Sequence, residues 1–99
     1  MEYNVKHNPD RNRFEVAIDD FICVVNYSTT PEGDIRVTHT GVPHQLKGQG
    51  IAAAMTKYLL EYARKNSIKI HPICPYTRSY IERYPEYKDV VAERWKGYL

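Results

Sequence analysis

Over the first forty residues apolar and polar positions change places in short runs: Tyr3 and Val5, then Phe14, Val16 and Ile18 against Arg13, Glu15 and Ala17, then the apolar stretch Phe21 to Val25. A period of two marks strands with one face turned to a core. Asp19-Asp20 is a tight hairpin candidate. Thr30-Pro31-Glu32-Gly33-Asp34 is a second turn, with proline to preset one corner and glycine to take a positive φ. Beyond it Ile35, Val37 and His39 alternate with Arg36, Thr38 and Thr40, so the pattern predicts four strands in an antiparallel meander.

After Gly50 the period changes. Ile51, Met55 and Leu59, with Ala52, Leu60 and Ala63, follow three-to-four spacing, and Glu61, Arg64 and Lys65 fall on the opposite side. This predicts the main helix, over 50–66. Asn66-Ser67 ends it, Ile68-Lys69-Ile70 reads as a short strand, and Cys74-Pro75 opens another helix because proline suits the first helical position. Tyr76, Tyr80 and Tyr84 share one face of that helix until Pro85 stops it. Val91, Trp95 and Leu99 are four apart in the tail and predict a short docking helix within 88–99.

Ninety-nine residues suffice for one domain. A hydrophobic share of 42% and a charged share of 26% are those of a folded globule, not of a disordered tail, a fibre or a coiled coil. Fourteen Lys and Arg against 12 Asp and Glu leave a formal charge of +2, too near balance for the electrostatic footprint of a nucleic-acid binder. No nucleic-acid partner is expected. The longest apolar runs fall far short of the roughly 18 to 20 residues of a membrane span, the first residues carry no signal-peptide pattern, and only Cys23 and Cys74 are present. The expectation is a cytoplasmic, reduced protein without membrane association, a monomer or weak homodimer. Nine tyrosines beside two phenylalanines and one tryptophan are the one odd count, since tyrosine is used where an aromatic body needs a polar end.

The sharpest local signal is Gln45-Leu46-Lys47-Gly48-Gln49-Gly50-Ile51-Ala52, a glycine loop between a strand and the main helix. Such a junction offers unpaired backbone N–H groups and the positive end of a helix dipole, a setting for phosphate oxygens. Gly48 to Ala53 also satisfies G-x-G-x-x-A, but no acidic residue stands about 20 positions on and the preceding strands read as a meander, which argues against a dinucleotide domain. No Gly-Lys-Ser/Thr follows, so a Walker loop fails as well. On spacing alone, a plain turn with glycines for geometry accounts for the loop equally well.

Gln45-x-x-Gly48-x-Gly50 followed by Ile51-Ala52 resembles the acyl-coenzyme A pyrophosphate loop of the GNAT superfamily of N-acetyltransferases, written Q/R-x-x-G-x-G/A. Val37 to Pro43, the alanine-rich helix and Ile70-His71-Pro72-Ile73-Cys74-Pro75-Tyr76 resemble a small, single-domain subgroup of it, over roughly 3–91. The resemblance implies an α+β fold, an α/β sandwich. Its mixed, mostly antiparallel sheet would splay at the fourth and fifth strands, with one main helix after the glycine loop and one or two short C-terminal helices. It implies acetyl-coenzyme A as cosubstrate, with pantetheine in the splay beside the backbone of Thr40 and Val42. Lys47, Gly48, Gln49, Gly50, Ile51 and Ala52 would hold the pyrophosphate.

Acetyl transfer to an amine needs a neutral nucleophile, stabilisation of the thioester oxyanion and a proton for the departing thiolate. Cys74 stands at a predicted helix N-terminus, where a thiol pKa falls. The resemblance makes it the active residue, as acetyl acceptor or proton donor; a small buried apolar side chain is the plainer alternative. His39, at the end of the fourth strand, is the general-base candidate, or a histidine bonded to a nearby carbonyl. Tyr76 is placed to line the acyl pocket, with Tyr80 and Tyr84 packed on the sheet and their hydroxyls at the rim. Cys23 reads as core, and neither C-x-x-C nor H-x-x-x-H spacing marks a metal site.

Larger GNAT enzymes carry two helices between their first two strands that shape the acceptor site, and 5–13 is too short for them here. The coenzyme site reads as complete and the acceptor site does not. The first function class is an acetyl-coenzyme A-dependent N-acetyltransferase acting on a small-molecule or protein amine that the sequence does not name. The alternatives are a non-catalytic module or sensor for coenzyme A or its acyl form, and an adaptor that keeps only the fold.

Overall fold

A computed structural model describes residues 2–99. Five strands, β1 (Lys6–Asn8), β2 (Arg13–Ile18), β3 (Phe21–Thr29), β4 (Ile35–Gly41) and β5 (Ile70–Pro72), form one sheet in the order β1-β2-β3-β4-β5. The first four are antiparallel neighbours, as the alternation predicts, and β5 joins β4 in parallel. A chain returning parallel needs a crossover, and helix α1 (Ile51–Lys65) is that crossover. Helix α2 (Pro75–Arg83) follows β5. The mixed sheet, the long helix after the loop and the short C-terminal helix are the α+β architecture expected.

Phe14, Val16, Cys23, Val25, Ile35 and Val37 turn one sheet face to Ile51, Met55, Leu59, Leu60 and Ala63 of α1, and all are buried. These helix positions are the predicted stripe. The other sheet face is far more open, with Ile22 53% exposed. Asp19-Asp20 turns β2 into β3 with Ile18 opposite Phe21, and Asp19 takes the left-handed φ of 53° that this two-residue turn requires. No helix among the described residues is long and apolar enough to cross a membrane.

Three elements depart from the sequence pattern. The first strand begins at Lys6 rather than around Tyr3, because Tyr3 leaves the sheet and donates its hydroxyl proton to the Gln49 carbonyl at 2.6 Å. The strand placed at 68–70 begins at Ile70, because Ser67 turns left-handed at φ 56° and the Ile68 amide bonds back to Ala63 O at 2.8 Å. Ile68 thus closes the end of α1 instead of opening β5. In the tail, two 3-10 segments, Pro85–Val90 and Glu93–Tyr98, replace the single docking helix. Buried Val91 breaks the run by bridging Ile70, and the Ala92 amide donates to Ile70 O at 2.8 Å. The free edge of β5 has unpaired backbone groups to satisfy, and that need outweighs helical periodicity.

Candidate functional site

The site is built where β4 and β5 part. Ile35, Arg36 and Val37 pair with Ile70, His71 and Pro72, and there the pairing ends. Pro72 offers no amide to continue a ladder, and the last tie is the Cys74 amide, which donates to Val37 O at 2.8 Å. From Thr38 to Gly41, β4 keeps β3 on one side and, among the described residues, has no strand on the other. The expected splay of the fourth and fifth strands is therefore present, opening after three paired positions.

A bulge in β4 decides which side chains face the opening. Tyr27 pairs with Val37 and Asn26 with His39, so Thr38 is an extra residue on β4. Inward positions switch from odd to even: Thr40 lies opposite buried Val25, on the α1 face, while His39 lies opposite Asn26 on the open face. A Cβ on Gly41 would stand 3.1 Å from His39 Nε2, so glycine leaves room for that ring. The Thr40 hydroxyl reaches Cys74 Sγ at 3.5 Å.

Cys74 is the residue before α2, with Pro75 at the first helical position, and its side chain is buried. Burial pushes the thiol up, but the Thr40 hydroxyl and the amides of Thr77 and Tyr76 outweigh it, so the pKa falls below the ordinary thiol value. The Thr77 hydroxyl, buried and without a hydrogen bond of good geometry, stands on the same side and also favours the anion. Cys23, buried between strands, is pushed up by desolvation instead.

On the other side of the opening stands the N-terminus of α1. Gly48 and Gly50 take φ of 82° and 76°, and no side chain caps the helix. The left-handed backbone favours glycine. The first intrahelical bond at this end is Ala54 N to Gly50 O at 3.0 Å, and the first turn has no acidic residue to neutralise the dipole. The amides of Ile51, Ala52 and Ala53 thus have no carbonyl partner within the helix, beneath short alanine side chains. Lys47 is exposed beside them.

A groove of about 410 Å³ joins these features. Thr40, Val42, Lys47, Gly48, Gly50, Ile51, Ala52 and Tyr76, all expected in the site, line it. Cys74 meets it through Thr40. Gln49 turns its carbonyl away to Tyr3, and His39 stands across the sheet from the thiol. The sequence reading missed Leu46 and Ala53, which also line the groove, and Thr77. For Thr77 a signal existed, since a hydroxyl residue three positions after an N-terminal cap faces back toward it. Tyr76 is half exposed at the groove, while Tyr80 and Tyr84, at the far end of α2 and just past it, meet each other with ring centroids 4.7 Å apart.

A family model for GCN5-related N-acetyl-transferases matches residues 13–90. Protein NATD1 of Mus musculus is 28% identical over 83 residues, covering 82% of this chain and 76% of that protein. Protein NATD1 of Xenopus tropicalis is 26% identical over the same shares. The solution structure of a GCN5-like protein from Staphylococcus aureus superposes with a TM-score of 0.72 at 28% identity, covering 91% of this chain and 88% of that one.

Proposed function

Since this chain belongs to the GCN5-related N-acetyl-transferase family, we propose that it transfers an acetyl group from acetyl-coenzyme A to an amine. The observation that carries the proposal is the groove itself: it runs from an uncapped helix N-terminus to Thr40, whose hydroxyl meets the Cys74 thiol at the point where two strands part. The residues fit the coenzyme by their own chemistry. Free amides at 51–53 and the ammonium of Lys47 suit a diphosphate. The unpaired edge of β4 near Thr40 and Val42 suits the amide groups of a pantetheine arm, as an added strand would.

When bound, acetyl-coenzyme A supplies an activated acyl carbon with a thiolate leaving group. The chain positions that carbon and manages protons around it. Cys74 Sγ, with the Thr40 hydroxyl beside it, either takes the acetyl group itself or gives its proton to the departing thiolate. His39, on the open face of the same strand, would take the proton of an amine arriving from that side. The bulge at Thr38 supports this division, because it sends adjacent residues His39 and Thr40 to opposite faces.

Incubation with radiolabelled acetyl-coenzyme A and an amine mixture tests the proposal. Acetylated amine should appear and should fall with Cys74→Ala. A labelled Cys74 peptide in the absence of amine marks the covalent role, and its absence during turnover marks the proton donor. Label that survives Cys74→Ala in full overturns both. The competing reading, a coenzyme A-binding module without turnover, draws support from the open face. His39 is exposed there, and β1 and β2 are joined by only the short 3-10 turn Pro9–Arg11, with no α-helix between them. It is distinguished by thermal stabilisation with coenzyme A and no acetylated product.

A further inference from the structure

Beside the main groove lies a second hollow, of about 150 Å³, lined by Ala53, Tyr76, Ser79, Tyr80, Arg83 and Tyr84. It shares Ala53 and Tyr76 with the main groove, so the two adjoin. Ala53 belongs to the turn of α1 whose amides are free, which places the hollow next to the phosphate position. Two further observations give it a chemistry. Tyr80 and Tyr84 stand with centroids 4.7 Å apart, and Arg83 lies 5.8 Å from the Tyr84 centroid. Arg83 makes no ion pair among the described residues, whereas Arg13 is held by Glu15 and Arg64 by Asp89. An exposed, unpaired guanidinium beside aromatic rings, one step beyond a diphosphate site, matches a phosphorylated nucleoside.

Resting on the coenzyme reading above, we propose that this hollow takes the purine of coenzyme A, and that Arg83 binds the 3′-phosphate and so distinguishes coenzyme A from its 3′-dephosphorylated form. Tyrosine rings stack on a base whatever its edge pattern, and the guanidinium fork matches a phosphate geometrically, where an ammonium acts only as a point charge. Ser79 adds a hydroxyl on the same wall. The tyrosine run after Cys74 therefore has a division of labour: Tyr76 borders the pantetheine groove and Tyr80 and Tyr84 hold the base.

Calorimetric titration with coenzyme A, dephospho-coenzyme A and 4′-phosphopantetheine tests this. The unmodified protein should hold coenzyme A about tenfold or more tighter than dephospho-coenzyme A, the worth of a charge-assisted hydrogen bond. Arg83→Gln should bring coenzyme A down to the dephospho level and leave dephospho-coenzyme A unchanged. Tyr84→Ala should weaken both nucleotides by a similar factor and spare 4′-phosphopantetheine. Equal binding of the two nucleotides by the unmodified protein, or an Arg83→Gln protein that keeps the preference, overturns the subsite while the coenzyme reading stands. Failure of all three to bind a folded protein removes the coenzyme reading and the subsite together.

Discussion

Gly50 offers the cleanest separation of fold from ligand. It caps α1 at φ 76°, and a Cβ added there meets nothing within 4 Å. Gly50→Ala therefore costs only backbone strain, about 1 to 2 kcal/mol for a left-handed non-glycine residue. Gly50→Glu carries the same strain, but a carboxylate at a helix N-terminus recovers about 0.3 to 1 kcal/mol from the dipole. On stability alone the Glu variant should equal or exceed the Ala variant. On binding the order should reverse. A carboxylate ~5 Å from a phosphate charge repels it by about 3 kcal/mol at an effective dielectric of ~20 before salt screening. Even half of that is about a tenfold loss. Urea unfolding and coenzyme A titration, run on both variants at one ionic strength, read the two quantities separately. If Gly50→Glu binds coenzyme A as tightly as Gly50→Ala, no phosphate lies at this helix end and the diphosphate is held elsewhere; if neither variant nor the unmodified protein binds it, the adaptor reading takes precedence.

Three other outcomes follow from side chains already placed. The alkylation rate of Cys74 should rise with pH at a midpoint below the ordinary thiol value, and Thr40→Val should move it up, as mass spectrometry of the Cys74 peptide will show. Because the folded pKa is depressed, the thiolate adds stability above the unfolded-state pKa, and that contribution fades as pH falls through the folded value. His7, stacked on Phe14 at 4.2 Å and bonded to the Tyr27 hydroxyl at 2.6 Å, is held below its ordinary pKa by burial. Its depressed pKa likewise stabilises the fold above the unfolded histidine value, so Tm should drop on acidification through that range and His7→Gln should flatten the slope. Met55→Ala, at a wholly buried position under the sheet, should cost about 2 to 5 kcal/mol in urea unfolding.

What was legible in the chain was local. The hairpin at Asp19-Asp20, the glycine loop, the stripe of α1 and the start of α2 each depend on residues within a few positions of one another, and these the pattern predicted. The misplaced elements answer to partners far away in sequence. Tyr3 is drawn off the sheet by Gln49, and the tail helix is broken because Val91 serves the edge of β5. For the site, the expected groove residues came with the family resemblance that the glycine loop and its neighbouring segments carry, while Thr77 and the second hollow required α2 to be set beside α1.

The bulge in β4 shows most clearly why alternation alone misleads, and it yields a further prediction. Strict period two groups His39 with Ile35 and Val37; in the fold it is Thr40 that faces inward, because Thr38 is spent as an extra residue. Val37 O holds the Cys74 amide at 2.8 Å and Thr40 Oγ1 holds its sulfur at 3.5 Å, so both ends of one residue depend on where Val37 and Thr40 stand. Deleting Thr38 leaves the inward and outward assignments intact, since His39 still meets Asn26 and Thr40 still meets Val25. Val37 and Thr40 then stay opposite Tyr27 and Val25, two residues apart on β3, so the deletion takes up the slack of the bulge and leaves both ties to Cys74 within reach. The deletion protein should fold with little change in its far-ultraviolet spectrum and keep the lowered Cys74 alkylation midpoint that Thr40→Val loses. A midpoint raised as far as that of Thr40→Val would mean that the bulge itself, beyond turning Thr40 inward, sets the surroundings of the thiol.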